Sequence, residues 1–174
     1  MEAPELRVLA SIRWQLFGTL TFKSEWLRDK VREQLLVTFC RKVENVTQVA
    51  PRHLLWCSRR EAGEIGGRVH FHIIIGGLAG KRVHPGCCFQ LMRLWESIGG
   101  GMARIRVFNP ALDGLGYVLK GLDGADSYES SKFAGRSVVR LSESCRRVVR
   151  RGSLRTASPS SSDEKSADRS ELAG

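Results

Sequence analysis

Val69-His70-Phe71-His72-Ile73-Ile74-Ile75 is an apolar run interrupted by two histidines two residues apart. In an extended strand successive side chains alternate between faces. Val69, Phe71, Ile73 and Ile75 then share an apolar face that belongs against a core, while His70, His72 and Ile74 share the other. The two imidazoles start about 7 Å apart at the backbone, close enough for both rings to reach one cation. Gly76-Gly77 ends the run.

Working outward, His53 to Arg59 reads as a second strand, and Glu61 to Arg68, with three glycines, as a hairpin-like turn. Glu61 closes that strand and faces the histidines across the turn, whereas Glu64 lies inside the turn and reads as solvated. Glu61 is therefore the candidate third ligand, with a plain surface charge as the competing reading. Upstream, Trp14 to Phe22 is rich in aromatic and β-branched residues and reads as a strand. Ser24 offers an N-cap to a helix from Trp26, striped by Leu27, Val31, Leu35, Phe39 and Val43. Downstream, Gly86 to Ile98 supports a helix with Leu91, Leu94, Trp95 and Ile98 on one side. Met102 to Phe108 alternates as a strand, and Ala111 to Leu122 reads as a short third helix weakened by its glycines. The order β-α-β-β-α-β-α describes an α+β sandwich with a mainly antiparallel sheet and helices over one face.

Bulk properties bound the function. With 174 residues, 42% of them apolar, the chain suits one core of ordinary size. The run around the histidines is too short to cross a bilayer, and Met1 to Ala10 carries no hydrophobic signal core, which points to the cytoplasm. Cys40, Cys57, Cys87, Cys88 and Cys145 are odd in number and are expected to be reduced thiols. The net charge of +10 is spread over the whole chain: residues 1–145 hold 21 basic against 14 acidic residues. Such an excess favours a polyanionic partner, with nucleic acid foremost. After Leu141 the composition turns basic and then Ser-rich. The folded domain is thus expected over 1–141, followed by a disordered tail over 142–174 whose arginines add phosphate affinity.

Two neutral imidazoles with a carboxylate suit Mn²⁺ or Mg²⁺, and also Zn²⁺, for polarising a phosphoryl oxygen. Tyr117 and Lys120, three apart on a helix, share a face. An ammonium there favours the phenolate and attracts phosphate, as a tyrosine nucleophile requires.

Phe17-Gly18-Thr19-Leu20-Thr21-Phe22, His70-Phe71-His72 and Tyr117-Val118-Leu119-Lys120, in that order, resemble the three motifs of rolling-circle replication initiators of the HUH endonuclease superfamily. The resemblance spans about residues 14–120. It implies a ferredoxin-like sheet, Mn²⁺ or Mg²⁺ held by His70, His72 and Glu61, and single-stranded DNA as substrate. Tyr117 would be the nucleophile, assisted by Lys120, forming a 5′-phosphotyrosine and freeing a 3′-hydroxyl. Arg59, Arg60, Arg68, Arg104 and Arg106 are candidate DNA contacts. No Walker-type phosphate loop occurs, so unwinding would fall to a separate host helicase. Alternatives are a single-tyrosine transposase of the same class, a non-catalytic basic nucleic-acid module, or a zinc-stabilised domain using His84, Cys87 and Cys88 with His70 or His72.

Overall fold

The computed structural model describes residues 3–50, 52–63, 67–112, 114–119 and 139–157. Strand β1 (Trp14–Phe22) leads into helix α2 (Asp29–Thr47), then β2 (Leu55–Ala62), β3 (Val69–Gly76), α3 (Pro85–Ser97) and β4 (Gly100–Val107), with a short helix α1 (Ala3–Ser11) in front. Beyond β4 come α4 (Gly114–Leu119), β5 (Val139–Leu141) and α5, which occupies Glu143–Ala157. The sheet order is β4-β1-β3-β2-β5 and every pairing is antiparallel. The protein is therefore an α+β sandwich of ferredoxin-like β-α-β-β-α-β order, extended by β5 on the β2 edge.

One face of the sheet carries Leu16, Leu20, Phe71, Ile73, Ile75, Ala103 and Ile105 against α2 and α3. Trp95 anchors this layer: it is fully buried, meets Phe22 and Phe39 edge-on, and donates its indole N–H to the Thr21 carbonyl at 2.8 Å. That bond removes the cost of burying the indole nitrogen and leaves the ring's apolar area as net gain.

The opposite face is divided. Its lower half, around Trp14, Ile74 and Cys57, is covered by Leu9 of α1, Val118 of α4, and Cys145 and Val149 of α5. Its upper half carries Thr19, His70, His72, Arg59 and Glu61. Helices therefore cover the first face, as expected, and part of the second as well.

Three local expectations change. Helix α2 begins at Asp29, not at Ser24, and its buried residues are Arg32, Leu36, Phe39, Cys40, Val43 and Thr47. A repeat of four residues overshoots the 3.6-residue turn by about 40° per step, so the stripe from Leu27 precesses away from the sheet at its N-terminal end. The start expected for the third helix, Ala111, lies in a 3-10 turn over Pro110–Leu112, and the helix is described over Gly114–Leu119; residues 113 and 120–122 lie outside the described residues. The folded part also does not stop at 141. Helix α5 docks on α1 so tightly that a Cβ on Gly152 would meet Val8 Cγ2 at 2.6 Å. Its apolar residues are few, and the partner that orders it, α1, is distant in sequence. Residues 158–174 lie outside the described residues. All five cysteines are buried and unpaired. No helix among the described residues is long and apolar enough to cross a membrane.

Candidate metal centre

The β2–β3 ladder places Glu61 directly opposite His70, and Arg59 opposite His72. Residues 59 and 61 share a face, as do 70 and 72, so strand phase and register together deliver all three ligand candidates to one spot. His70 Nε2 and His72 Nε2 lie 2.9 Å apart; Glu61 Oε2 is 3.2 Å from the latter and 3.6 Å from the former. Ligands about 2.1 Å from a common ion are separated by about 3.0–3.4 Å in octahedral or tetrahedral geometry. The observed triangle fits that spacing. Glu61, His70 and His72 thus form a group that could hold a metal ion.

The other polar atom of each ligand is engaged by a neighbour. His70 Nδ1 is 3.2 Å from the Arg68 carbonyl oxygen; a carbonyl only accepts, so Nδ1 carries a proton, and in the neutral ring the Nε2 lone pair turns towards the triangle. His72 Nδ1 is 3.1 Å from Thr19 Oγ1 on the adjacent strand β1. Arg59 Nε donates to Glu61 Oε1 at 2.9 Å. This outer layer orients the ligands before any ion arrives, an arrangement common to protein metal sites. Glu61 raises the pKa of His70 above 6.5, first through its hydrogen bond and also through its charge; burial opposes this and the Arg68 carbonyl adds to it.

The other expected residues divide. Arg59 is 2% exposed and holds Glu61 in place. Arg60 points to the opposite face, 4% exposed, and pairs with Asp29 of α2 at 3.3 Å. Burial removes both from reach of a DNA backbone, which corrects their expected role. Arg68 is exposed and pairs with Glu25. Arg104 and Arg106 are exposed on β4, opposite Thr19 and Phe17 of β1, and the Arg106 guanidinium stacks over Phe17 at 5.2 Å. One row of paired residues, Arg104-Thr19-His72-Arg59, therefore crosses four strands through the centre.

Tyr117 belongs to α4, which packs over β2 and β3 on the histidine-bearing face. The Tyr117 side chain and all of Lys120 lie outside the described residues. The alternative zinc set does not assemble: His84 caps α3 by accepting from the Cys87 amide, and Cys87 and Cys88 are buried in the core.

One contributor to the centre is not legible in the sequence, and one nearby residue stands elsewhere than expected. Thr19 lay within a quoted motif, but only the β1–β3 register reveals its bond to His72. Trp26, expected within the helix, stands 91% exposed on the loop before α2. That loop is tied down by Arg32, which donates to the Glu25 carbonyl at 2.6 Å, and by the Glu25–Arg68 pair.

No family model matches the sequence, and no curated protein matches it.

Proposed function

We propose that the protein is a metal-dependent, single-tyrosine nuclease of the HUH class that nicks and rejoins single-stranded DNA. The observation that carries this reading is the Glu61-His70-His72 triangle on a ferredoxin-ordered sheet, beneath a face on which α4, the helix of Tyr117, also packs. A carboxylate with two imidazoles accepts Mn²⁺ or Mg²⁺. Bound there, the cation would withdraw charge from a phosphoryl oxygen.

The chain's own residues would supply the rest. The Tyr117 oxygen attacks phosphorus, forming the Tyr O–P bond as the P–O3′ bond breaks. The phenolic proton leaves, and the departing 3′-oxygen takes up a proton to become a free hydroxyl. Lys120, one helical turn on, stabilises the phenolate and the phosphate charge. Attack by a 3′-hydroxyl on the phosphotyrosine reverses the reaction and joins strands without ATP. Arg68, Arg104 and Arg106 border the site and suit backbone phosphates. Initiation of rolling-circle replication is the setting that fits such chemistry, with unwinding supplied by a separate helicase.

The test is incubation with labelled single-stranded and hairpin DNA in Mn²⁺, read on a denaturing gel. A covalent adduct that disappears in Tyr117→Phe and in His72→Ala is expected. No adduct on any substrate leaves a non-catalytic nucleic-acid module as the better reading.

A further inference from the structure

At the far end of the same strands, about 20 Å from Glu61 by the six-residue run along β2, an open cleft of about 420 Å³ lies between the β2 and β3 ends and α5. Arg52, His53, Arg147 and Arg151 line it, and none of the lining residues is acidic. Arg147 and Arg151, four apart, rise on one face of α5, while Cys145 and Val149 hold its other face to the core. All four basic residues are exposed.

The backbone beneath is built to hold this arrangement. Arg52 has a left-handed φ of 64°, strained for a residue with a Cβ. Its amide donates to Glu44 Oε1 at 3.1 Å and its carbonyl accepts from Ser144 Oγ of α5. Gly77, at φ +80°, lets the chain pass within a Cβ's width of the His53 carbonyl, where any side chain would come to 2.7 Å. Three guanidiniums gathered round one opening repel each other, and an anion between them reverses that cost.

We infer that this cleft is a second nucleic-acid site, which grips backbone phosphates remote from the Glu61-His70-His72 centre. It rests on nucleic acid being the partner, but not on the metal or on Tyr117. The shared ligand chemistry is a run of phosphodiesters, from a single strand or from a duplex stem.

The experiment measures affinity by fluorescence anisotropy against salt concentration, using the full chain in EDTA with two labelled probes, an oligo-dT and a hairpin duplex. Each lost phosphate contact lowers the slope of log K against log salt by about 0.7 on single strands and about 0.9 on duplex. Arg147→Gln/Arg151→Gln is expected to lower the slope by about 1.4 on the oligo-dT or about 1.8 on the hairpin, and the probe that responds names the source. The control, Arg41→Gln/Arg93→Gln, alters exposed arginines of α2 and α3 outside the cleft and should leave the slope unchanged. An unaltered slope in the cleft variant on both probes, or an equal fall in the control, overturns the inference. Wild-type protein that binds neither probe overturns it together with the nucleic-acid partner. A slope that falls as expected in a protein giving no Tyr117 adduct sinks the nuclease reading alone.

Discussion

Arg59 and Glu61 stand two residues apart on one face of β2, and the guanidinium Nε holds Oε1 of the carboxylate at 2.9 Å while Oε2 faces both histidines. The pair is buried on a strand, so the carboxylate cannot rotate away without stranding an uncompensated charge. A charged residue near a metal site is easily read as a substrate contact; here it acts on the ligand instead.

Replacing Arg59 by Gln should therefore weaken Mn²⁺ binding about 10- to 100-fold, as loss of an outer hydrogen bond to a ligand does elsewhere. It should also cost stability, since breaking a buried pair from one side typically costs about 3–5 kcal/mol. Calorimetric titration with Mn²⁺ and thermal unfolding read the two effects. Unchanged Mn²⁺ affinity would mean that Arg59 does not orient Glu61.

Thr19→Val keeps the shape of the side chain and removes the hydroxyl bonded to His72 Nδ1. We expect Mn²⁺ affinity to fall about tenfold or more while the melting temperature moves little. A large loss of stability with intact metal binding would assign Thr19 to the fold alone.

Held above its ordinary 6.5, His70 keeps a proton in the folded, metal-free chain at a pH where the unfolded chain has released it. Its contribution to stability is complete below about pH 6.5 and is lost as pH rises through the folded-state value. A cation needs the neutral ring, so metal affinity runs the other way, strengthening over that interval with release of a proton. Titrations from pH 5.5 to 8.5 in buffers of differing ionisation heat check both signs; a flat affinity profile would count against His70 as a ligand.

Trp26 projects from a tethered loop on the end of the sheet that carries the histidines. Under the proposed function its ring offers a base a stacking surface. Trp26→Ala should leave the melting temperature within error and weaken single-strand binding about 5- to 150-fold. Trp14 and Trp95 are buried and Trp56 is half-buried, so oligonucleotide should quench tryptophan fluorescence more in the wild type than in Trp26→Ala, and equal quenching would remove Trp26 from the binding surface.

Leu9 is fully buried between α1, α5 and the sheet, and its carbonyl accepts from the Trp14 indole at 3.0 Å. Leu9→Ala should cost about 2–5 kcal/mol. A loss below about 1 kcal/mol in urea unfolding would show that α1 and α5 sit outside the cooperative core.

Strand β3 was readable because both its constraints are local: alternation divides Phe71 and Ile73 from His70 and His72 whatever lies around them. The same holds for β1, whose bounds Trp14 and Phe22 follow from composition, and for the face of α3 bearing Leu91 and Trp95. The start of α2 was harder, since Ser24 has the chemistry of a cap but tertiary pairing claims the loop: Glu25 turns to Arg68, and Asp29 to Arg32 and Arg60. Helix α5 reads as a tail from sequence because its few apolar residues find their partner in α1, more than a hundred residues earlier.

By itself the sequence determined the antiparallel α+β plan and the two histidines on one side of one strand, because period-two geometry needs no distant partner. Only the tertiary structure decided the rest of the centre. Register set Glu61 against His70, brought Thr19 to His72, and turned Arg59 inward and Arg60 to the far face. A shift of one residue in that pairing would have sent each to the other side of the sheet. Register is settled by the packing of both faces at once, which no single segment of the chain contains.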